Sequence, residues 1–252
     1  MIEAPPIPTN ETPPLPGFDH RTYALHEHLD GPCTYADYRK AMLDMARLNR
    51  FTRAHRPFLQ LIAEVVAKTG VSHTPLAILD IGCGQGALLR IVRRWAATRS
   101  LPLRLTGIDL HPYAARLAAE CNSKEHLPPG TLHHETADAL ATAIDADIIF
   151  CSLMAHHLTD DDVLRLLHQC NRARHAWMIS DLRRSQRAAK LFVLLARLLR
   201  LHRFVVEDGD ISFRRAYSLE EWKQLVTRAN IRAEVIDVGS GRVLIRKQNV
   251  EG

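Results

Sequence analysis

The sequence has no long apolar run. A helix that crosses a bilayer needs about 20 consecutive, predominantly apolar residues, and no segment of this 252-residue chain approaches that length. Hydrophobic residues make up 46% of the chain and charged residues 24%, as is usual for a globular protein. We therefore expect no membrane-spanning segment, and a chain long enough for one α/β domain with an appendage.

Cysteines are few and show no pairing. They are five in number, without any Cys-x-x-Cys pair: Cys33, Cys83, Cys121, Cys151 and Cys170. Disulfide frameworks and cysteine-based zinc sites require an even number or close spacing. We therefore expect neither of them, assign no residue to a metal, and take the reducing cytoplasm as the simplest location.

A strong basic patch and a secretory signal are also missing. The formal net charge is +5, and a modest excess spread along a chain usually reflects a solvated surface. No RNA-binding module accompanies it, so we do not expect nucleic acid as the partner. Residues 1–17 are rich in proline and have neither a basic start nor an apolar centre, so we expect a disordered tail rather than a signal peptide.

Helical periodicity comes first among the features that are present. Apolar residues recur at helical spacing in residues 35–48 and again in residues 54–68. They predict two helices within a helical cap over residues 18–74. The segment Asn49-Arg-Phe-Thr-Arg53, with Arg56, could reach a carboxylate of a ligand, although such clusters are more often solvated surface.

From residue 75 onward, short apolar segments alternate with helical ones, which indicates a parallel sheet built from βαβ units. The strand candidates are 76–81, 103–109, 131–136, 146–151, 175–180, 231–237 and 242–247. The helix candidates are 86–98, 113–121, 160–172 and 218–229, the last with a capping box from Ser218 to Glu221. Gly239-Ser-Gly241 leaves no room for a crossover helix, so the last two strands should form an antiparallel hairpin. The predicted fold is therefore an α/β, Rossmann-like sheet of seven strands, mostly parallel.

A glycine-rich loop follows the first strand candidate. Residues 79–86 read Leu-Asp-Ile-Gly-Cys-Gly-Gln-Gly and lead into a helix candidate, which is the context of a nucleotide-binding turn. The glycines let the backbone turn sharply and approach a ligand. Their spacing leaves an NAD-binding turn open, but Asp80 suits a ligand with an ammonium group and would repel a pyrophosphate.

This loop resembles the first motif of the class I S-adenosylmethionine-dependent methyltransferases, and later residues agree with that family in order. The resemblance implies S-adenosyl-L-methionine as the cofactor, with Asp109 on its ribose and Asp138 beside its adenine, although either aspartate could instead cap a helix. The backbone of Cys83, rather than its thiol, is expected to matter. The implied cofactor-binding residues are Asp80, Gly82, Cys83, Gly84, Gly86, Asp109, Leu110, Asp138, Ala139 and Ser152.

Two histidines follow the fourth strand candidate. The stretch from His156 to Asp162 is similar to the segment of small-molecule O-methyltransferases whose histidine deprotonates a substrate hydroxyl, and to the matching segment of quinone-biosynthetic C-methyltransferases. Histidine exchanges protons near neutral pH, and this edge of an open α/β sheet is where ligands bind. His156 and His157 are therefore the candidate catalytic residues, with packing or capping of the next helix as the alternative.

An insertion over residues 183–217 interrupts the domain that we predict over residues 75–252. Its leucines and basic residues recur at helical steps, which predicts an amphipathic helix over residues 185–203. The resemblance implies a lid over a hydrophobic acceptor. Plain packing on the core and peripheral contact with an acidic membrane surface remain open.

The sequence thus predicts a cytoplasmic methyltransferase of secondary metabolism that methylates an oxygen of a small hydrophobic, phenolic or polyketide-like compound. C-methylation of a quinone or lipid precursor is the alternative within the family. An RNA methyltransferase and a non-catalytic cofactor-binding protein are alternatives of other classes. Ser152-Leu-Met-Ala155 stands where N6-adenine methyltransferases carry Asn/Asp-Pro-Pro-Tyr/Phe, and the complete loop argues against loss of the cofactor. Nothing in the sequence indicates the oligomeric state.

Overall fold

The structure is a computed structural model that describes residues 17–70, 74–128, 130–141 and 145–248. The predicted proline-rich tail lies outside these ranges, except for Gly17. Among the described residues, no helix is long and apolar enough to cross a membrane.

A seven-stranded sheet forms the centre of the fold, as the sequence predicts, with the strands in the order β3-β2-β1-β4-β5-β7-β6. The strands are β1 (Leu76–Ile81), β2 (Leu103–Asp109), β3 (Leu132–Thr136), β4 (Ile148–Ser152), β5 (Ala176–Leu182), β6 (Glu234–Gly239) and β7 (Arg242–Gln248). The pairs among β1 to β5 are parallel, whereas β7 is antiparallel to both β5 and β6. The carboxyl ends of the five parallel strands therefore lie at one edge of the sheet.

A tight turn explains the antiparallel end of the sheet. Ser240 and Gly241 connect β6 to β7, with φ angles of 51° and 73°. A two-residue connection with positive φ at both positions has the twist that antiparallel strands require. The predicted hairpin is confirmed.

Eight α-helices surround the sheet in the described ranges. They are α1 (Tyr35–Phe51), α2 (Arg56–Thr69), α3 (Ala87–Ala97), α4 (Ala114–Lys124), α5 (Asp160–Cys170), α6 (Gln186–Leu198), α7 (Arg203–Arg215) and α8 (Leu219–Arg228). The predicted capping box of α8 is present, because the Glu221 backbone N donates to Ser218 Oγ at 3.2 Å and the Ser218 backbone N donates to Glu221 Oε2 at 2.7 Å. This box fixes where α8 begins.

Apolar layers cover both faces of the sheet. On one face, α2 and α3 pack against the strands and bury Phe58, Ile62 and Leu89. On the other face, α5 and α8 bury Leu166 and Trp222. The helix α1 lies outside these layers and packs against α7. Of the two N-terminal helices, α2 therefore belongs to the core of the sheet, whereas α1 packs against α7 beyond the edge of the sheet.

Residues 185–203 do not form one helix, and this prediction was wrong. The chain turns at Arg200, whose φ is 51°, and then continues as the unpredicted helix α7. The His202 backbone N, at the start of α7, donates to Asp44 Oδ2 at 2.8 Å. Leucine periodicity runs through the turn up to residue 201, so local periodicity does not reveal the break, whereas the contact with α1 stabilises the start of α7.

Some strand boundaries also differ from the predicted ones. β4 begins at Ile148 rather than at residue 146, and β6 begins at Glu234 rather than at residue 231. β5 continues to Leu182 instead of ending at residue 180. Asp181 consequently lies inside β5, beside the end of β4.

Candidate functional site

The carboxyl ends of the parallel strands border a cavity of about 1240 Å³. This edge is where ligands bind in open α/β sheets. We refer to two parts of the cavity. The glycine-loop half is lined by the segments that follow β1, β2 and β3, and the helical half is lined by α1, α6, α7 and the start of β7.

The loop after β1 needs glycine for two physical reasons. Gly82 and Gly84 have φ angles of 70° and 52°, a region that other residues adopt at a steric cost. A Cβ on Gly82 would lie 2.7 Å from Cγ and 2.9 Å from Cβ of Met154, whereas one on Gly84 would meet only Cε of Met42, the end of a flexible side chain that can move aside. Both positions line the cavity, so the loop presents backbone rather than side chains to a ligand.

Asp109, at the end of β2, is bonded to this loop. Its Oδ2 accepts a hydrogen bond from the Gly84 backbone N at 2.7 Å, and its Oδ1 accepts one from the His111 backbone N at 2.8 Å. Each carboxylate oxygen has two lone pairs. Asp109 can therefore hold the loop and still accept hydrogen bonds from a ligand in the cavity.

Asp80 is a buried acid without a complete set of partners. It is 2% exposed and lines the cavity, and its Oδ1 makes no hydrogen bond within the described part of the chain. Burial, with a further contribution from Asp109, raises the pKa of this carboxyl to about 8. A buried acceptor without a donor is costly, so Asp80 is suited to a ligand that brings a donor or a positive charge.

Nine of the ten predicted cofactor residues line the cavity, and Gly86 does not. The nine are Asp80, Gly82, Cys83, Gly84, Asp109, Leu110, Asp138, Ala139 and Ser152. Gly86 is the N-cap of α3, with a φ of 72°. It therefore shapes the loop from behind the cavity wall.

Cys83 and Asp138 have local features that bear on their roles. Burial raises the pKa of the Cys83 thiol, so the thiolate is disfavoured and the backbone is the more relevant group. The Leu140 backbone N donates to Asp138 Oδ1 at 2.9 Å, so Asp138 holds its own turn in addition to facing the cavity.

His156 has a fixed ring orientation. Its Nδ1 lies 2.6 Å from Asp181 Oδ1, and its backbone N donates to Asp181 Oδ2 at 2.9 Å. Burial by itself would raise the pKa of Asp181, but the charge and hydrogen bonds of His156 outweigh burial and the pKa is lowered. A carboxylate at Nδ1 favours the tautomer with its proton there. The lone pair of Nε2 then lies on the opposite side, 3.7 Å from Glu27 Oε1.

His157 repeats this arrangement with a second acid. Its Nδ1 lies 2.8 Å from Asp30 Oδ1, and its Nε2 lies 3.8 Å from Glu27 Oε2. Arg215 also bonds to Asp30. Burial would raise the pKa of Asp30, but hydrogen bonds from His157, the Glu27 backbone and Arg215 lower it well below its usual range.

Glu27 lies beside both histidine rings, whose centres are 4.2 Å apart, with one carboxylate oxygen near each Nε2. It is buried, and burial raises its pKa to about 7. Ser212, on α7, donates to Glu27 Oε1 at 2.8 Å. Glu27, His156 and His157 all line the cavity, and we call these three residues the His-Glu cluster.

The helical half is mainly apolar. Leu191, Phe192 and Leu195 of α6 and Phe213 of α7 line it. Gly209 allows α7 to approach α6, because a Cβ there would lie 2.1 Å from Cε1 of Phe192. The two helices of the insertion thus form one wall of the cavity.

Arg242 places a cation in this apolar half. One of its nitrogens, Nη2, donates to Asn49 Oδ1 at 3.0 Å. The other, Nη1, is buried and has no hydrogen-bond partner among the described residues. Burial lowers the pKa of the guanidinium, which the nearby charge of Asp181 opposes. Arg242 lines the cavity and so offers a donor to an acidic group.

The N-terminal arginine cluster is only partly at the site. Asn49 and Arg53 line the cavity, whereas Arg50 and Arg56 do not. Of the three arginines, only Arg53 is therefore placed to contact a ligand in the cavity, and its contact with a ligand stays a prediction.

Sequence reasoning missed three residues of the site: Glu27, Asp181 and Arg242. Asp181 had a usable signal, because it follows the fifth strand candidate and β4 and β5 are neighbours whose carboxyl ends meet at one edge. Glu27 lies close to the proline-rich segment without any motif. Arg242 is the first residue of a strand, and its sequence neighbours give no indication that it borders a cavity.

These residues fit a ligand with three chemical groups. The free Oδ1 of Asp80 suits an ammonium group, and Asp109 suits a pair of hydroxyls. The segment around Asp138 and Ala139 borders the space that remains beside them. The glycine backbone allows close approach between these acids.

Comparison with known proteins gives a family match over the centre of the chain. Residues 78–175 match the family described as "Methyltransferase domain". This range begins inside β1 and contains all of β2 to β4, the glycine loop and both histidines of the His-Glu cluster. No curated protein matches the chain.

Three solved structures are similar in fold. A plantazolicin methyltransferase in complex with a triazolic desmethylPZN analog and SAH has 16% sequence identity, covers 84% of this chain and 96% of its own, and has a TM-score of 0.53. Magnesium protoporphyrin IX methyltransferase from Synechocystis PCC 6803 with bound SAH has 11% identity, coverages of 87% and 89%, and a TM-score of 0.53. A SAM dependent methyltransferase from Aquifex aeolicus has 18% identity, coverages of 74% and 88%, and a TM-score of 0.51.

Proposed function

We propose that this chain, which is an S-adenosylmethionine-dependent methyltransferase with the class I fold, methylates an oxygen of a small hydrophobic, phenolic or polyketide-like acceptor. The observation that supports this most directly is a buried histidine, His156, oriented by Asp181 at the wall of a cavity whose other half is apolar. A hydroxyl on an apolar body matches these two parts.

The glycine-loop half holds the cofactor in this proposal. When bound, S-adenosylmethionine supplies a methyl group on a positively charged sulfur, which is already activated for displacement. Asp80 accepts hydrogen bonds from its ammonium group and Asp109 from its ribose hydroxyls. Asp138 and Ala139 border the adenine, while Leu110 and Ser152 contribute to the walls between these groups.

The acceptor lies in the helical half, with its hydroxyl at the His-Glu cluster. The hydroxyl would give its proton to Nε2 of His156, whose Nδ1 is held by Asp181, and its oxygen would form the bond to the methyl carbon as the bond from that carbon to sulfur breaks. S-adenosylhomocysteine is the leaving group. A positioned base contributes a factor of about 10² to 10⁴ in rate, and alignment of the oxygen with the methyl group contributes further.

Arg242 adds a feature to the acceptor. A buried guanidinium nitrogen without a partner is suited to a carboxylate, because arginine and carboxylate form charge-assisted hydrogen bonds. We therefore propose an acceptor that carries an acidic substituent in addition to its methylated hydroxyl. Two of the similar structures are named for plantazolicin and magnesium protoporphyrin IX, and such acceptors are consistent with a small-molecule enzyme here.

The test is an activity screen with labelled S-adenosylmethionine against phenols, resorcinols and quinols, each with and without an added carboxylate, and against fatty acids. We expect methylation of phenolic compounds, with the acidic member of each pair preferred. The substitution Arg242→Gln should raise KM for the acidic member and leave KM for the neutral one nearly unchanged. Equal effects on both members would remove the acidic substituent from the proposal.

The site of methylation is determined on the product. Fragmentation in a mass spectrometer locates the new methyl group on oxygen or on carbon. A methyl group on a ring carbon would overturn oxygen methylation in favour of the quinone-type C-methylation. Methylation of RNA, with none of the small molecules accepted, would overturn the small-molecule proposal as a whole.

A further inference from the structure

We propose that the His-Glu cluster binds a divalent metal cation, zinc being the best chemical match, through His156 Nε2, His157 Nε2 and one carboxylate oxygen of Glu27. The role of this cation toward the acceptor rests on the proposed function, but its binding does not.

The ligand atoms are close enough to share one ion. The three side chains each offer an atom, and these atoms all lie within 4.8 Å of one another. Nε2 of His156 is 3.7 Å from Glu27 Oε1, and Nε2 of His157 is 3.8 Å from Glu27 Oε2. Metal–ligand bonds of 2.0 to 2.2 Å in a tetrahedral zinc site separate the ligand atoms by about 3.4 Å. The two nitrogen–oxygen distances are a few tenths of an ångström above this value, but they run to different oxygens of Glu27. Binding therefore requires Glu27 to turn one oxygen toward both rings and the three ligand atoms to draw together from within 4.8 Å.

Both histidines are held in the manner of metal ligands. A metal-binding histidine usually bonds its other ring nitrogen to a carboxylate, which fixes the tautomer and strengthens the ligand. His156 Nδ1 has Asp181 at 2.6 Å, and His157 Nδ1 has Asp30 at 2.8 Å. One such pair is a common structural feature, whereas two pairs with both Nε2 atoms directed at the same carboxylate indicate a prepared site.

The charges around the cluster favour a cation. Three carboxylates, those of Glu27, Asp30 and Asp181, lie at or against the histidines. Arg215 lies against two of these acids, and the charge of Arg242 acts on Asp181. With ionised acids and neutral imidazoles, these groups sum to one negative charge. A cation at the ligand atoms is therefore favoured, because buried charges require partners.

Two imidazoles and one carboxylate are the ligands of many catalytic zinc sites, which leave a fourth position open. All three proposed ligands line the cavity, so a fourth ligand can come from it. With an acceptor bound, its hydroxyl oxygen would occupy this position. Because the metal would hold the Nε2 lone pair of His156, the cation would replace that histidine as the means of deprotonation. It would stabilise the oxygen anion, and the proton would leave to bulk water.

The first experiment measures metal binding without any acceptor. The chain is stripped with a chelator, dialysed, and titrated with Co²⁺, whose visible absorption reports tetrahedral coordination, and with Zn²⁺ by calorimetry. We expect one ion per chain. Glu27→Gln, which keeps the shape of the side chain, and His157→Gln should each weaken binding at least 100-fold. His168→Gln is the matched control, because His168 is an exposed histidine of α5 outside the cavity, and it should leave binding unchanged.

Absence of stoichiometric binding, or equal binding by the wild type and both ligand variants, would overturn the metal site. Melting curves of each variant, and their affinity for S-adenosylmethionine, check that the fold persists. Turnover by a fully metal-free enzyme would also overturn the site's role and leave the proposed function intact. Metal binding without methylation of any small molecule would do the opposite.

Discussion

Asp80 and Asp109 lie at the ends of neighbouring strands but differ in what they already bind. Both oxygens of Asp109 accept backbone hydrogen bonds, whereas Oδ1 of Asp80 has no partner in the described structure. Asp109 therefore has a structural role whether or not a ligand is present. Asp80 gains its missing partner only when a ligand supplies one.

The first prediction concerns Asp109→Ala. The substitution removes the acceptor proposed for the ribose and also the bond to the Gly84 backbone. Hydrogen bonds to charged groups contribute about 1.5 to 3 kcal/mol, so we expect affinity for S-adenosylmethionine to fall about 10- to 150-fold in calorimetry. Asp237→Ala is the control, because Asp237 is an exposed acid of β6. Unchanged affinity in Asp109→Ala would refute the ribose role.

The second prediction concerns Asp80 and pH. Its pKa in the free protein is raised to about 8, above the unperturbed value of about 3.9 for an aspartate. The free carboxyl therefore holds a proton at neutral pH, and accepting an ammonium group requires that this proton leave. Cofactor affinity should rise between about pH 6 and about pH 7.5, with release of up to one proton per ligand.

Calorimetry in buffers of different ionisation enthalpy measures that proton. In Asp80→Asn the pH dependence over this window should disappear and the affinity at high pH should be lower. The same raised pKa means that the folded form binds a proton that the unfolded chain releases. Stability of the free protein should therefore decrease as pH rises from about 4 to about 8. A wild-type affinity that is flat with pH would contradict the assignment.

The sequence predicted which residues lie at the cavity where one strand end or one loop contains them, while their roles stay predictions. Asp80 and Asp109 lie at the ends of the first two strand candidates, and Asp138 and His156 follow the third and fourth, so topology brings them to one edge. Glu27 could not be found this way, because 129 residues separate it from His156. Its position depends on Ser212 of a helix that the sequence did not predict.

At the level of elements, the insertion after β5 shows most clearly where periodicity fails. Its apolar residues suggested one helix, but α6 and α7 fold back on each other, and Gly209 faces Phe192 where they touch. In a sequence, a glycine inside a helical segment predicts a less stable helix. In this fold it is the residue that permits the two helices to pack.

The third prediction follows from that contact. Gly209→Ala should destabilise the protein by about 1 to 3 kcal/mol, as overpacking does, although alanine is the better helix former. In a Phe192→Ala background the ring is gone, and the same change should cost little or stabilise by up to about 1 kcal/mol. Urea unfolding of the four proteins measures the difference. An equal cost in both backgrounds would mean that the ring contact is not the cause.

The fourth prediction is that the outer face of α6 contacts a membrane surface, one of the three interpretations of this helix in the sequence. Leu194 and Leu198 are 64% and 77% exposed and do not line the cavity, and Arg187, Lys190 and Arg197 are exposed near them. The helix has no acidic residue. Apolar and basic groups on one face match the surface of an anionic bilayer, which we propose as the partner of this face.

Sedimentation with vesicles that contain anionic phospholipid should bring down the wild type at low salt, and neutral vesicles should not. The double substitution Leu194→Glu and Leu198→Glu should abolish binding. Phe51→Glu, which changes a residue of α1 that is 71% exposed, should not affect it. Binding that survives the α6 substitutions, or that is absent with anionic vesicles, would exclude this face as a membrane contact.

On the scale of the whole molecule, Arg21 connects segments that are far apart in the chain. Its guanidinium donates to the backbone carbonyl oxygens of Arg215, His156 and Leu158 at 2.6, 3.2 and 2.5 Å. It also lies 3.9 Å from the centre of the Tyr217 ring. The N-terminal segment thus holds the loop after β4 against α7.

The fifth prediction is that Arg21→Ala lowers the free energy of unfolding by about 2 kcal/mol, because three carbonyls lose a charged donor. The melting temperature should fall by about 4 to 8 °C in a chain of this size. Arg116→Ala is the control. Arg116 stacks on Tyr35 at 3.7 Å, but its side chain is 63% exposed, so its loss should change the melting temperature much less. Equal shifts would mean that the carbonyl contacts of Arg21 add nothing.

The overall architecture was predictable because it depends on patterns within about ten residues. Strand-sized apolar segments, the capping box at Ser218 and the turn at Gly239-Ser-Gly241 are all local. The acceptor side of the cavity depends instead on contacts such as Asp44 with His202, or Arg242 with Asn49. Contacts of that separation leave no periodic trace in a sequence.

The two halves of the cavity are also built from different parts of the sequence. The proposed cofactor residues fall between Asp80 and Ser152, whereas the wall of the helical half comes from α1, α6, α7 and β7, on either side of that stretch. Replacing residues 183–217 would change α6 and α7 but leave α1 and β7 as they are. Such an exchange should therefore shift the acceptor preference only in part, while the residues proposed for the methyl donor stay the same.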